Sequence, residues 1–531
     1  MFARTAGTLI CRVVIVGTLL GLAGWQAPSA HAQPSADQIQ CANQDRTVAP
    51  DRVIASCTAL IGLGALSGRT LSIALYNRGL AYRGIGDSER ALADFNAAIT
   101  ADPNNTFAFM IRGTARYQQG DSDGAIADYG EAIRVDPHNA LALINRCNAY
   151  RTKGDNNRAI ADCDQAIRLD PRLAMAFVNR GLAWLAKGDP DRAIADDDEA
   201  IRLAPTAALA FLNRGIARGT KRDYDRAIAD YDEAIRLAPQ LAEAFNNRGI
   251  LHRLKGDNDR AIADLDEAIR LDATSPGAFY NRGNAWLAKG DAARAIADLG
   301  RAILLDAKFA PAVTSRGLAY VAIGDDARAI ADFDEALRLL AGDGPDSRAL
   351  RELRAAANFR SANYRAAASD LAYIVQRRPA DADPVVWLYL ARARAGEKNA
   401  TSRMRANARG LRPSEWPFPL AELYLDRRKP KQTLSSAKTA DERCQAQFHV
   451  GEWYLLHRNR AAARRALQAA ANDCEKSRAE YRGAVAELKR LGTNDEVTTA
   501  STPKPAPKPA AKPATKPAAK PDRASVSNSP R

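Results

Sequence analysis

The sequence predicts an all-α solenoid of stacked antiparallel helical hairpins, and three observations carry that expectation. From Leu71 to Gly344 one pattern recurs eight times with a period of 34 residues, without gap or insertion. In seven of the eight periods a Gly-Asp pair recurs, as in Gly86-Asp87, Gly154-Asp155 and Gly290-Asp291. Glycine tolerates the left-handed end of one helix, and aspartate accepts the free N–H groups at the start of the next. Five units close on proline, at Pro103, Pro137, Pro171, Pro205 and Pro239, where a helix cannot continue.

Each unit resolves into two helices. A small residue stands at Gly79, Gly113, Cys147, Gly181, Gly215, Gly249, Gly283 and Gly317, and an apolar residue stands four before it, from Leu75 to Val313. That spacing puts both on one helical face. The second helix carries a run such as Arg192-Ala193-Ile194-Ala195-Asp196, whose alanines allow close helix approach, and at Asp189-Pro190 proline fits its first position. The pattern resembles the tetratricopeptide-repeat family, helix-turn-helix units with a small residue and an aromatic in the first helix, alanines in the second and a closing proline. The resemblance implies a right-handed superhelix with one long concave surface. The sequence departs from the family pattern at Ala273, Ala307 and Ala341, which replace the closing proline, and at Cys163 and Asp197, which replace a bulky residue.

Taken in order, residues 1–32 read as a secretory signal: Arg4 and Arg12, an apolar run from Val13 to Trp25, and Ala30-His31-Ala32 as a cleavage site. Residues 33–71 read as an N-terminal capping half-repeat, broken at Pro50, and 72–343 as the eight regular units. Residues 344–492 keep a decaying version of the pattern: second-helix character over 364–379, first-helix character over 384–396, a proline-rich interruption around Pro413 and Pro419, a last hairpin over 448–471 and a closing helix over 478–491. Gly451-Glu452-Trp453-Tyr454 and the segment Ala486 to Leu491 are similar to the C-terminal portion of the NlpI-type bacterial envelope repeat proteins, and that resemblance implies an adaptor role. Residues 493–531, with Lys-Pro recurring every four residues from Lys504 to Lys520, have the composition of a disordered basic tail.

Without Cys11, six cysteines remain. Cys41 and Cys57 are 16 apart, as are Cys147 and Cys163, and Cys444 and Cys474 fall at the same end of an antiparallel pair. Three hairpin-compatible pairs behind an export signal predict three disulfides and a periplasmic or secreted protein. Charge is unevenly shared: Lys+Arg against Asp+Glu is 38 to 43 over residues 33–343, but 29 to 16 over 344–493 and 7 to 1 over 503–531. After an export signal, the basic C-terminal part points to an anionic cell-envelope surface, with no nucleic acid expected.

No phosphate-binding loop, nucleophile elbow or metal-ligand spacing occurs, so no catalytic residue, metal or cofactor is expected. The acidic runs Asp196-Asp197-Asp198-Glu199 and Asp230-Tyr231-Asp232-Glu233 read as solvated helix faces. Two ladders remain. Arginine precedes every small residue (Arg78 to Arg316) and aspartate follows it by fifteen (Asp94 to Asp332), which suits pairing across each hairpin. Asparagine stands two before the small residue at Asn77, Asn145, Asn179, Asn213, Asn247 and Asn281. A carboxamide donates to a peptide C=O and accepts from its N–H, so this row is the candidate peptide-binding site. Tyr76, Met110, Ile144, Val178, Leu212 and Tyr280 stand beside it as a candidate apolar stripe. The expected function is an exported, non-catalytic scaffold that binds protein partners or extended segments, with an envelope-structural protein tethered by its basic end as the alternative.

Overall fold

The computed structural model describes residues 35–43, 47–340, 342, 344–413 and 415–492; the expected leader and basic tail lie outside them. The described residues form helices and turns in two compact units, divided between Ala341 and Gly342.

Unit 1 opens with α1 (Ala36–Ala42) and α2 (Pro50–Gly62). Eight hairpins follow: α3–α4 (Gly68–Gly84, Ser88–Ala101), α5–α6 (Thr106–Gln118, Ser122–Val135), α7–α8 (Ala140–Thr152, Asn156–Leu169), α9–α10 (Ala174–Ala186, Pro190–Leu203), α11–α12 (Ala208–Thr220, Tyr224–Leu237), α13–α14 (Ala242–Leu254, Asn258–Leu271), α15–α16 (Pro276–Ala288, Ala292–Leu305) and α17–α18 (Ala310–Ala322, Asp326–Leu340). Each packs on its neighbours in the chain, the arrangement of an α-solenoid.

The small residue exists because the facing helix comes too close for anything else. At Gly79 a Cβ would lie 2.6 Å from Phe95 Cε1, and at Gly317 the same distance from Phe333 Cε1. The residue lying over the small site is buried in every hairpin: Phe95, Tyr129, Cys163, Asp197, Tyr231, Leu265, Leu299 and Phe333. In the third hairpin Cys147 and Cys163 form a disulfide across this contact; Cys41–Cys57 joins α1 to α2 in the same way.

The arginine and aspartate ladder pairs within every hairpin. Arg78 Nε and Nη2 donate to Asp94 at 2.8 and 2.7 Å, and the same fork recurs down to Arg316 and Asp332. Arg180, Arg214, Arg248 and Arg282 use the third nitrogen to reach back to Asp164, Asp198, Asp232 and Asp266 of the preceding hairpin. Each of these guanidiniums therefore ties two hairpins together, and its planar fork sits against nearly buried carboxylates where such geometry is strongest.

The turn between the helices places a left-handed glycine at Gly86, Gly120, Gly154, Gly188, Gly256, Gly290 and Gly324, with φ from 78° to 86°. In the fifth hairpin Arg222 occupies that conformation at φ 63°. Its side chain is exposed, so Arg222→Gly is expected to stabilise this hairpin by ~1 kcal/mol through relief of the Cβ clash. A rise in the hydrogen-exchange protection of α11 and α12 checks it.

The acidic runs contradict the expectation of a solvated face. Asp196 and Asp230 are buried in ion pairs with Arg180 and Arg214, Asp197 is 0% exposed, Glu199 and Glu233 are half-buried, and Asp198 and Asp232 alone are exposed. The reason is helical rotation: successive residues turn by about 100°, so a run of four carboxylates cannot share one face.

Unit 2 contains α19 (Pro345–Arg360), α20 (Tyr364–Arg377), α21 (Ala382–Arg394), α22 (Ala400–Asn407), α23 (Phe418–Tyr424), α24 (Pro430–Ser436), α25 (Ala440–Leu456), α26 (Arg460–Asp473) and α27 (Ala479–Arg490). Its core gathers Phe359, Trp387, Tyr424 and Phe448, and Cys444–Cys474 joins α25 to the end of α26. Inside it Arg394 donates to Glu452 at 2.7 Å and to Glu487 at 3.0 Å, and Glu487 also binds Arg490. Tyr424 and His449 share a buried hydrogen bond of 2.8 Å.

Candidate functional site

The first helices of the middle hairpins touch one another directly, α7 with α9, α9 with α11 and α11 with α13, and so form one continuous wall in unit 1. On a helix, residues i, i+4 and i+7 share a face. On this wall that face carries the positions six before, two before and one after the small residue: Met175, Asn179 and Leu182 on α9, and Leu209, Asn213 and Ile216 on α11. With Asn148 and Arg151 of α7, Val178 of α9 and Glu243 of α13 they line a cavity of about 30 Å³. That volume is about that of one water molecule and accepts the tip of a side chain.

The asparagine row divides. Asn179 and Asn213 enter the cavity wall, each nearly buried, and Asn213 is 6% exposed with its Nδ2 lacking a hydrogen-bond acceptor. Asn247 and Asn281 join a local relay: Asn281 Nδ2 donates to Asn246 Oδ1 at 2.9 Å, and Asn246 Nδ2 donates to Asn247 Oδ1 at 3.2 Å. Asn77 and Asn145 stand half-buried outside the cavity.

The neighbouring stripe is mostly packing between helices. Ile144, Val178 and Leu212 belong to separate buried clusters, and of the three Val178 alone also borders the cavity. Tyr76 packs on Phe95 and Tyr280 on Phe309, while Met110 Sδ accepts from Asn139 Nδ2 at 3.4 Å. These residues stand one position, about 100°, from the asparagines and turn toward the next hairpin.

The exposed apolar row lies instead six before the small residue, at Phe107 (46% exposed), Leu141 (40%) and Met175 (36%), and continues into half-buried Leu209. Sequence reasoning missed it, although the same period, read at that offset, displays it. The row ends at Glu243, a carboxyl in the place of these apolar side chains. Burial pushes Glu243 up to about 7. Tyr231 of α12, whose hydroxyl is buried without a partner, interacts with it electrostatically and is itself raised by burial. At the cavity's other end, Arg151 Nη2 donates to Asn148 Oδ1 at 2.8 Å.

Among the described residues no group of three or more His, Cys, Asp or Glu side chains is placed to hold a metal ion. Among them, too, no helix is long and apolar enough to cross a membrane.

Residues 112–174, 144–208 and 212–276 match one family model described as tetratricopeptide repeat, and residues 72–105 match a second with the same description. Among solved structures, a tetratricopeptide repeat protein from Parabacteroides merdae is similar at 22% identity, covering 47% of this chain and 98% of its own, with a TM-score of 0.41. YrrB, described as a repeat protein with an unusual peptide-binding site, is similar at 23% identity over 35% of this chain and 95% of its own, with a TM-score of 0.29. The Cut9–Hcn1 assembly is similar at 15% identity over 66% of this chain and 86% of its own, with a TM-score of 0.42. No curated protein matches the chain by sequence.

Proposed function

Because the chain is a tetratricopeptide-repeat protein, we propose that it is a non-catalytic scaffold that holds extended segments of other proteins against the wall formed by α7, α9, α11 and α13. The observation that carries this reading is the carboxamide of Asn213, nearly buried in the cavity wall with an unused donor. A buried polar group without a partner costs about 1–3 kcal/mol, and a rotation of the Asn213 side chain, which borders the cavity, would bring its covered donor to a peptide carbonyl laid along the wall and remove that cost. Asn179, one hairpin earlier in the same row, offers a second carboxamide to the same strand of peptide. Main-chain hydrogen bonds of this kind hold a segment, and the apolar row from Phe107 to Leu209 contributes side-chain burial beside them.

The compartment in this reading is extracytoplasmic. Three disulfides suit an oxidising environment, and the leader sequence supplies the route. The basic C-terminal part would keep the scaffold near an anionic envelope surface by long-range attraction.

The test uses the purified mature chain and fluorescent ten-residue peptides selected from a random displayed library. Asn179→Ala with Asn213→Ala is expected to weaken the selected peptides at least about tenfold, the loss of roughly two hydrogen bonds. Unchanged affinity in a folded double variant removes this wall from the account.

A further inference from the structure

We infer that the wall is selective for segments carrying a lysine or arginine, and that Glu243 receives that cation next to a side-chain tip lodged in the Asn213 cavity. This rests on the peptide-binding reading above and names the chemistry of the partner.

Three observations converge on it. Glu243 takes the place that Phe107, Leu141, Met175 and Leu209 hold on the preceding first helices, so an acid interrupts an apolar row at the cavity's edge. Among the described residues no ion pair or hydrogen bond engages its carboxyl, whereas the other charges nearby are committed. Arg214 and Arg218 of α11 bind Asp230 of α12, and Arg248 of α13 binds Asp264 of α14. His252 of α13 also faces Asp264, at 3.8 Å. None of these groups, and none from α15, acts on Glu243, whose ionisable neighbour is Tyr231. At the far end of the cavity stands the guanidinium of Arg151, bonded to Asn148, so the cavity has a carboxyl at one end only.

A carboxyl held near neutrality by burial alone is poised for a counter-charge. An approaching ammonium or guanidinium favours the ionised form and lowers the carboxyl's proton affinity, so binding releases a proton. The affinity must then rise with pH through the free carboxyl's titration near 7, and only there. If the ionised form alone binds, the gain between pH 6 and pH 8 is about tenfold.

The probes are the enriched library peptides themselves, measured against the full mature chain by fluorescence anisotropy at pH 6, 7 and 8. The expected result is enrichment of lysine or arginine at one position, about tenfold weaker binding when that residue becomes methionine, and tightening with pH. Glu243→Gln should flatten the pH profile and abolish the preference for the basic residue. Glu243→Leu, which restores the side chain found at Leu141 and Leu209, should do the same and guards against a folding defect. Peptides that depend on Asn179 and Asn213 yet show no basic preference, or a pH profile that survives Glu243→Gln, would overturn this inference and leave the peptide-binding reading standing. Absence of any peptide that depends on Asn179 and Asn213 overturns both.

Discussion

Asp197→Leu is expected to stabilise the fourth hairpin of unit 1 by ~1–3 kcal/mol, the cost of burying a polar group whose hydrogen bonds are not made. Asp197 is 0% exposed, and both carboxyl oxygens lack hydrogen-bond partners. Leucine has a precedent in the same fold, because Leu265 lies over Gly249 and Leu299 over Gly283 as Asp197 lies over Gly181. Burial, reinforced by Asp196, drives the Asp197 carboxyl well above the usual carboxylate range. The sign of the pH effect follows. Below about pH 4 the group is protonated folded and unfolded alike, and it contributes no pH-dependent cost. As the pH rises further, the unfolded chain loses the proton while the folded chain keeps it, so the hairpin weakens toward neutrality. Hydrogen exchange of α9 and α10 amides, which reports opening hairpin by hairpin in a repeat array, should show protection falling from pH 4 to pH 7 in the parent and not in the variant. Equal slopes would mean that the carboxyl is solvated.

Arg394→Ala is expected to destabilise unit 2 by ~3–5 kcal/mol, because it strands the Glu452 carboxyl in the core while Glu487 keeps Arg490. Glu452 is 0% exposed, and its Oε2 is held by Arg394 Nη1 at 2.7 Å while Oε1 has no partner. Burial already pushes Glu452 upward, and the guanidinium opposes that push. The same arginine reaches Tyr364 and Glu487, so one side chain joins α20, α21, α25 and α27. Denaturant unfolding should show the midpoint falling in Arg394→Ala and recovering in large part in Arg394→Met with Glu452→Gln, which removes charge from both sides. A parent-like midpoint for Arg394→Ala would show that the helices are held by their apolar contacts alone. Arg394 and Glu452 lie 58 residues apart in an irregular part of the chain, and no periodicity announced their meeting.

The hairpins themselves were legible because their contacts are local. Residues 16 apart meet whenever two helices joined by a tight turn fold back, so the arginine and aspartate forks and the Cys147–Cys163 bond could be read from spacing. The expected second helix over 364–379 and the closing helix over 478–491 likewise correspond to Tyr364–Arg377 and Ala479–Arg490. The short helices α22 and α24 were not anticipated; neither is long enough to display a helical period.

The candidate site was legible only in part. Asn179, Asn213 and Val178 do border one cavity, whereas Asn247 and Asn281 are tied into a relay through Asn246. Repetition dictated the hairpin, its close glycine contact and its ion-pair ladder, since each depends on neighbours fixed by chain connectivity. Which side chains face the open wall depended on how successive first helices rotate against one another, bringing together residues 34 and 68 positions apart such as Met175, Leu209 and Glu243. That rotation is set by packing summed over many small contacts, and it turned Leu212 inward while leaving the neighbouring Asn213 at the cavity's edge.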